Sequence, residues 1–132
     1  MKIAAIDIGL KRIGTAICLD DKIAVPQPPI FRKNRNQAAF DVANFLKKWD
    51  IELLVVGVPK DGKSAKEMQR RISHFVSLIE FSGEVVYIDE SSSSIEASEK
   101  IKGVVRQKKD GKLDSIAAQL ILERFLFKKF FD

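Results

Sequence analysis

The order of apolar segments predicts a single α/β domain in which an antiparallel meander leads into a parallel sheet. Three observations carry this. The chain opens on two apolar runs joined at a glycine, Lys2-Ile-Ala-Ala-Ile-Asp7-Ile-Gly9 and Ile13-Gly14-Thr-Ala-Ile-Cys18. Continuous apolar runs recur at Glu52–Gly57 and Glu84–Ile88, the pattern of parallel strands covered on both faces. Segments with apolar residues at helical spacing separate and follow these runs, so strands and helices alternate.

Taken in order, the first two runs read as a β-hairpin with Asp7 near the end of its first strand. A carboxylate within a core strand is costly unless it is hydrogen-bonded or holds a cation. Asp20-Asp21-Lys22 makes the next turn. Ile23–Val25 is expected to form a short third strand, because Pro26, Pro28 and Pro29 rule out a long central one. Arg32, Lys33 and Arg35 follow in a loop.

Ala39, Val42, Ala43, Phe45, Leu46 and Trp49 then mark an amphipathic helix over about 36–49. The strand from Glu52 stops at Gly57-Val58-Pro59, and a loop with Asp61-Gly62 follows it. Ser64 and Glu67 have the spacing of a capping box, opening a helix that buries Ile72, Phe75, Val76 and Ile79 and ends at Ser82-Gly83. The strand from Glu84 is expected to be buried and to deliver Asp89-Glu90 at its end. Ser93 and Glu96 suggest a further short, polar helix to about Lys102, and Gly103–Gly111 a basic loop and a candidate for disorder. Leu113 to about Phe127 is the last helix, with Asp114, Ala118, Ile121 and Phe125 on one face. The nearby Phe125, Phe127, Phe130 and Phe131 either finish the core or form a dimer contact, the first being preferred.

Right-handed crossovers make the strands from Glu52 and Glu84 parallel to the first. Ligands of open α/β sheets sit beyond the carboxyl ends of such strands. Asp7, the Gly57-Val58-Pro59 loop and Asp89-Glu90 all fall there, and Asp114, in the first turn of a sheet-packed helix, is expected to be aimed over the same place. An aspartate in a first helical turn also favours the macrodipole with no further role. Converging carboxylates with no cysteine or histidine ligand set suit a hard divalent ion, Mg²⁺ or Mn²⁺. Such a site supports phosphodiester hydrolysis, with paired metals about 4 Å apart activating water and stabilising the leaving oxygen. The single histidine, His74, reads as structural or surface.

Composition agrees with a globular chain of this class. The 132 residues are 45% hydrophobic and 31% charged, with net charge +5, and this length suits one core. No apolar run reaches the roughly 20 residues of a membrane span, so no membrane association is expected. No signal-peptide pattern is seen, and Cys18 is the one cysteine, which favours the cytoplasm. The basic stretches Lys60, Lys63, Lys66, Arg70, Arg71 and Lys100, Lys102, Arg106, Lys108, Lys109, Lys112 suit a polyanion if they flank a site, and otherwise a solvated face. No Walker loop, GxGxxG or Ser-His-Asp set is present.

Five segments together resemble the YqgF (RuvX) family: Asp7-Ile-Gly-Leu-Lys-Arg-Ile-Gly14, Val55-Val-Gly-Val-Pro59, Asp61-Gly62, Asp89-Glu90 with Ser-Ser-Ser-Ser-Ile-Glu96-Ala97, and Gly111-Lys-Leu-Asp114-Ser-Ile-Ala-Ala118. The resemblance implies a ribonuclease H-like fold over residues 1–132, with a mixed central sheet and helices on both faces. It implies a nuclease acting on structured nucleic acid, on the 5′ end of pre-16S rRNA in ribosome biogenesis or, alternatively, on branched DNA as a Holliday junction resolvase. By similarity, Asp7, Glu90 and Asp114 are the catalytic, metal-binding carboxylates, with Asp89 second to Glu90. Lys11 and Arg12 match the first-motif cations and stand as phosphate contacts, or as a solvated hairpin turn. Lys60, Lys108, Lys109 and Lys112 are further candidates for holding the backbone. Nucleic acid is the expected partner, and the chain is expected to act as a monomer or homodimer.

One departure stands out. The family usually continues its acidic pair with an arginine and a leucine, where this chain has Ser91 and Ser92. Loss of that arginine removes a bidentate phosphate clamp or a salt-bridge partner, and it gives weight to a non-catalytic nucleic-acid-binding protein on the same fold. A phosphate-binding hairpin of actin-like ATPases is a third reading of the opening motif, but 132 residues cannot supply the two domains those proteins need.

Overall fold

A computed structural model describes residues 1–89 and 112–131, the last with backbone alone at 112–114 and 130–131. Five strands, β1 (Ile3–Ile8), β2 (Arg12–Cys18), β3 (Val25–Phe31), β4 (Leu53–Val58) and β5 (Glu84–Asp89), form one sheet in the order β3-β2-β1-β4-β5. β1 runs antiparallel to β2 and β2 to β3, while β4 is parallel to both β1 and β5. The meander and the parallel half are therefore arranged as the alternation of segments predicts. Helices α1 (Arg35–Lys48), α2 (Ala65–Ser77) and α3 (Lys112–Phe131) complete the described fold.

Strand alternation divides the sheet into two apolar faces. Ala4, Ile6 and Ile8 of β1 pack with Leu54 and Val56 of β4 under α1 and α2, whose Val42, Leu46, Ile72 and Phe75 are buried there. Ile3 and Ala5 pack with Leu53 and Val55 under α3, whose Ala118, Ile121 and Leu122 are fully buried. The small Ala117 and Ala118 admit the helix close to the sheet, as the sequence suggests. Burying the side chains of Ile121 and Leu122 is worth about 1.5–3 kcal/mol each.

Four local expectations need correction. The third strand is longer than the expected Ile23–Val25 and spans Val25–Phe31. Among the described residues it lies at the sheet edge, bonded to β2 alone, where a missing N–H costs no ladder bond on the outer side. α2 begins at Ala65 without a capping box, because Ser64 is not in the extended backbone conformation of a cap and makes no side-chain bond to the helix. Glu67 pairs instead with Arg71 at 2.8 Å. Among the described helices a capping box forms at α1, where Asn34 Oδ1 accepts from the Gln37 amide at 2.7 Å and Gln37 Oε1 accepts from the Asn34 amide at 3.3 Å. α2 also ends earlier, at Ser77, leaving Ile79 buried in the connection that follows. β5 is half-buried rather than buried, being the outer strand among the described residues, with Tyr87 45% exposed.

The last helix runs on to Phe131, and its aromatic residues divide: Phe125 packs on the core while Phe127 is exposed. Phe130 and Phe131 have no described side chains. The predicted short helix to Lys102 and the loop 103–111 lie outside the described residues.

Candidate active site

Asp7 is the last inward position of β1 on the face covered by α3. The odd-numbered Ile3 and Ala5 before it belong to that face, and Asp7 follows in alternation, half-buried. Its cross-strand partner is Gly14. Carrying the parallel register of Ala5↔Val55 and Ile6↔Val56 one step further puts Gly57 on its other side. The carboxylate thus stands between two residues that have no side chains, so neither strand neighbour fills the space around it.

The helix opposite is pinned at the same level. Ser115 Oγ donates to the Gln27 carbonyl at 2.7 Å and lies 3.5 Å from the amide of Thr15, the residue next to Gly14. The β2–β3 register shifts between Ile13 and Thr15, and Thr15 Oγ1 donates to the Pro28 carbonyl at 3.1 Å. This irregularity turns a backbone amide and a backbone carbonyl toward a buried hydroxyl on α3. Asp114, immediately before Ser115, is held by its backbone in the first turn of α3 over the Asp7–Gly14 end of the sheet. Its side chain, like that of Lys112, is not among the described ones, and Glu90, Lys108 and Lys109 lie outside the described residues.

Asp89 ends β5 opposite Val58. Val86 and Ile88 pack on the α3 face, so alternation turns the Asp89 side chain to the α1/α2 face, away from that of Asp7. Its carbonyl accepts from Arg124 Nη1 at 2.7 Å, tying β5 to α3. Asp89 and Lys60 both line a cleft of about 1040 Å³ between α2 and α3 at the β5 edge. Lys11 is exposed at the hairpin tip, and Arg12 opens β2 opposite Phe31. The described candidates therefore all gather at the carboxyl end of the parallel strands, but on two sides of the sheet.

Reasoning from sequence missed two residues that hold this end together. Ser115 reads as an ordinary polar residue in a first turn, and nothing in its neighbours marks it as buried. Arg32 reads as a loop cation, yet its Nη1 donates to the Gly9 carbonyl at 2.6 Å and its amide to the Lys11 carbonyl at 2.9 Å. Its guanidinium stacks 5.0 Å over the Phe75 ring. Burial, and then the charge of Arg35, push the Arg32 guanidinium below its ordinary pKa, though a guanidinium stays charged in proteins.

Among the described residues no cluster of three or more potential metal ligands occurs, and a three-carboxylate centre requires the side chains of Glu90 and Asp114. The donor type is right for Mg²⁺ or Mn²⁺: the Asp7 carboxylate faces α3, while His74 is on α2 and Cys18, opposite Ile3, is at the far end of β1. Cys18 is buried, and desolvation raises its thiol pKa. No described helix is long and apolar enough to cross a membrane.

Comparison with known proteins agrees with this architecture. Residues 1–128 match the family described as RuvX, Holliday junction resolvase. A protein of Sulfurovum sp. (strain NBC37-1) named "Putative pre-16S rRNA nuclease" is 66% identical over 126 residues, covering 96% of this chain and 98% of the relative. A relative of the same name from Campylobacter jejuni subsp. doylei is 53% identical over 126 residues, covering 95% and 96%. Among solved structures, Thermus thermophilus RuvC in complex with a Holliday junction substrate superposes with a TM-score of 0.61 at 11% identity, covering 99% of this chain and 96% of that one. The chain thus shares the ribonuclease H-like fold of RuvC.

Proposed function

We propose that this chain, which belongs to the RuvX (Holliday junction resolvase) family, is a metal-dependent phosphodiester-cleaving nuclease that trims the 5′ end of pre-16S rRNA in the cytoplasm. The observation that carries the substrate is the end-to-end match to relatives so named, 66% identical over 98% of the relative's length. The site geometry supports the chemistry. Asp7 sits at a strand end facing α3, with glycines beside it and with the Asp114 end of the helix pinned above it through Ser115.

Asp7, Glu90 and Asp114 are the residues that would hold Mg²⁺ or Mn²⁺. Bound there, the metal would supply an activated water and charge stabilisation for the departing oxygen. The protein's own share is orientation. Asp7 is fixed by β1–β2 pairing, and the two glycines leave room for a phosphate to approach. Lys11 and Arg12 at the hairpin, Lys60 after β4, and Lys108, Lys109 and Lys112 before and in α3 hold the flanking backbone electrostatically. Asp89, on the opposite face, serves as a support of the β5 end rather than as a ligand.

The family description favours a second reading, cleavage of a four-way DNA junction. That substrate presents two strands to cut, so this reading calls for a homodimer where rRNA trimming needs only a monomer. Incubation with pre-16S rRNA and with a four-way junction, each with Mn²⁺, separates the two. Cleavage of the rRNA supports the proposal, and cleavage of the junction alone transfers it to the second reading. Salt-sensitive binding with no cleavage under any divalent ion points to a non-catalytic binding protein.

A further inference from the structure

On the side of the sheet away from Asp7, a cleft of about 410 Å³ opens between the start of α1, the middle of α2 and the β1–β2 turn. Ile8 and Gly9, which follow Asp7 in the chain, form part of its wall. Five basic side chains surround it, Arg32, Arg35, Arg70, Arg71 and His74, and no carboxylate lines it among the described residues. Three separate elements supply them, so the cluster is a product of the fold and not of one charged helix face.

The five differ in how they are held. Arg71 is paired with Glu67 at 2.8 Å. Arg32 is fixed by the Gly9 carbonyl and the Phe75 ring, half-buried, with its charge at the inner end of the cleft. Arg35 Nη1 stands 3.3 Å from His74 Nε2. A guanidinium can only donate, so the imidazole nitrogen accepts and aims Arg35 across toward α2. Arg70 lies one turn before His74 on the same helix face, and neither Arg35 nor Arg70 makes an ion pair among the described residues. A partly desolvated guanidinium beside further unpaired cations is stabilised by an anion with several acceptor oxygens, which a phosphodiester provides.

We propose that this cleft is a second backbone-binding site, taking the phosphates of the nucleic-acid strand as it passes over the carboxyl end of the sheet from Asp7. Arg35 and Arg70 make the phosphate contacts, while His74 and Arg32 position them. The identity of the strand as substrate rests on the nuclease reading; the binding itself does not.

The test is therefore made without cleavage, in chelator, with a fluorescent RNA hairpin and a DNA hairpin of the same sequence titrated over about 50 to 200 mM salt. The double variant Arg35→Gln/Arg70→Gln is compared with Lys47→Gln/Lys48→Gln, which removes equal charge from the far end of α1. All four positions are exposed, so the fold should hold, and equal melting temperatures verify it. In at least one arm the arginine variant should bind about tenfold more weakly. Its log K against log salt slope should be shallower by about 1.4 to 1.8, the loss of two phosphate contacts. Unchanged affinity and slope in both arms, an equal loss in the lysine variant, or a wild-type protein that binds neither hairpin would overturn the proposal. A protein that binds through the cleft but cuts nothing with Mn²⁺ refutes the nuclease reading and leaves this one standing.

Discussion

Ser115 Oγ donates to the Gln27 carbonyl at 2.7 Å, and by that bond the first turn of α3 is fastened to the edge strand of the sheet. The two residues are 88 positions apart, and Ser115 is 4% exposed, so water cannot readily replace either partner. Ser115→Ala leaves the Gln27 carbonyl unpaired and should cost about 1–3 kcal/mol of stability. If the bond also sets the height of Asp114 over Asp7, cleavage by the still-folded variant should fall at saturating substrate. Denaturant melts beside steady-state kinetics check both effects, and Ser115→Thr, which keeps the hydroxyl, should recover part of the rate.

Gly9 controls the hairpin from the other side. A Cβ at this position would stand 2.7 Å from the Arg12 carbonyl oxygen, a backbone atom that cannot swing away. Gly9 also donates its amide to that same oxygen at 2.9 Å. Gly9→Ala should therefore open the turn, lowering stability by about 1–3 kcal/mol and reducing cleavage because Asp7 is two residues away. Thermal melting and a cleavage assay on the same preparation test it.

Arg32 gives a third prediction. Arg32→Met keeps much of the apolar stem but removes the charge-assisted bond to Gly9 and the stacking on Phe75. A loss of about 1.5–3 kcal/mol is expected, the usual range for a hydrogen bond to a charged group, readable as a lower denaturant midpoint. Arg32→Lys should recover little, since an ammonium cannot span the same contacts as a planar fork.

The turn after β2 makes stability depend on pH. Asp20 accepts from the Ile23 and Lys22 amides, and Asp21 from the Met1 amino group with Lys129 nearby. These contacts hold both carboxyls below the ordinary 3.8 in the folded chain. The unfolded chain therefore binds protons more readily, so their contribution is whole above about pH 4 and disappears as pH falls through their folded values. The melting temperature of Asp21→Asn should lie below that of the wild type at pH 7, and the gap should narrow as pH falls below 3.8.

Much of this fold could be read from the chain because apolar runs and helical spacing report burial directly. β1 and β4 follow from their apolar runs to within a residue or two, and the start of α3 from the Ala118–Ile121 face, although that helix runs four residues past the expected end. What escaped the reading depends on neighbours that a local pattern does not name. The prolines of β3 are tolerated because it is the edge strand among the described residues, and Ser64 looks like a helix cap until its backbone angles are known. At the site, Asp7 was conspicuous as a charge in an apolar strand. Position at a strand end groups Asp89 with it, and only the alternation of Val86 and Ile88 turns Asp89 to the other face. Ser115, Arg35 and His74 carry no local signal, since their partners are 39 to 100 positions away.

Asp7→Asn distinguishes a metal-holding catalytic carboxylate from one that only supports the strand end. The substitution keeps the size of the side chain and removes its charge. With pre-16S rRNA and Mn²⁺, cleavage should fall by about a thousandfold, the equivalent of several kcal/mol of lost metal assistance, while rRNA binding in chelator stays near that of the wild type. Undiminished cleavage by the pure variant would rule out a catalytic role for Asp7.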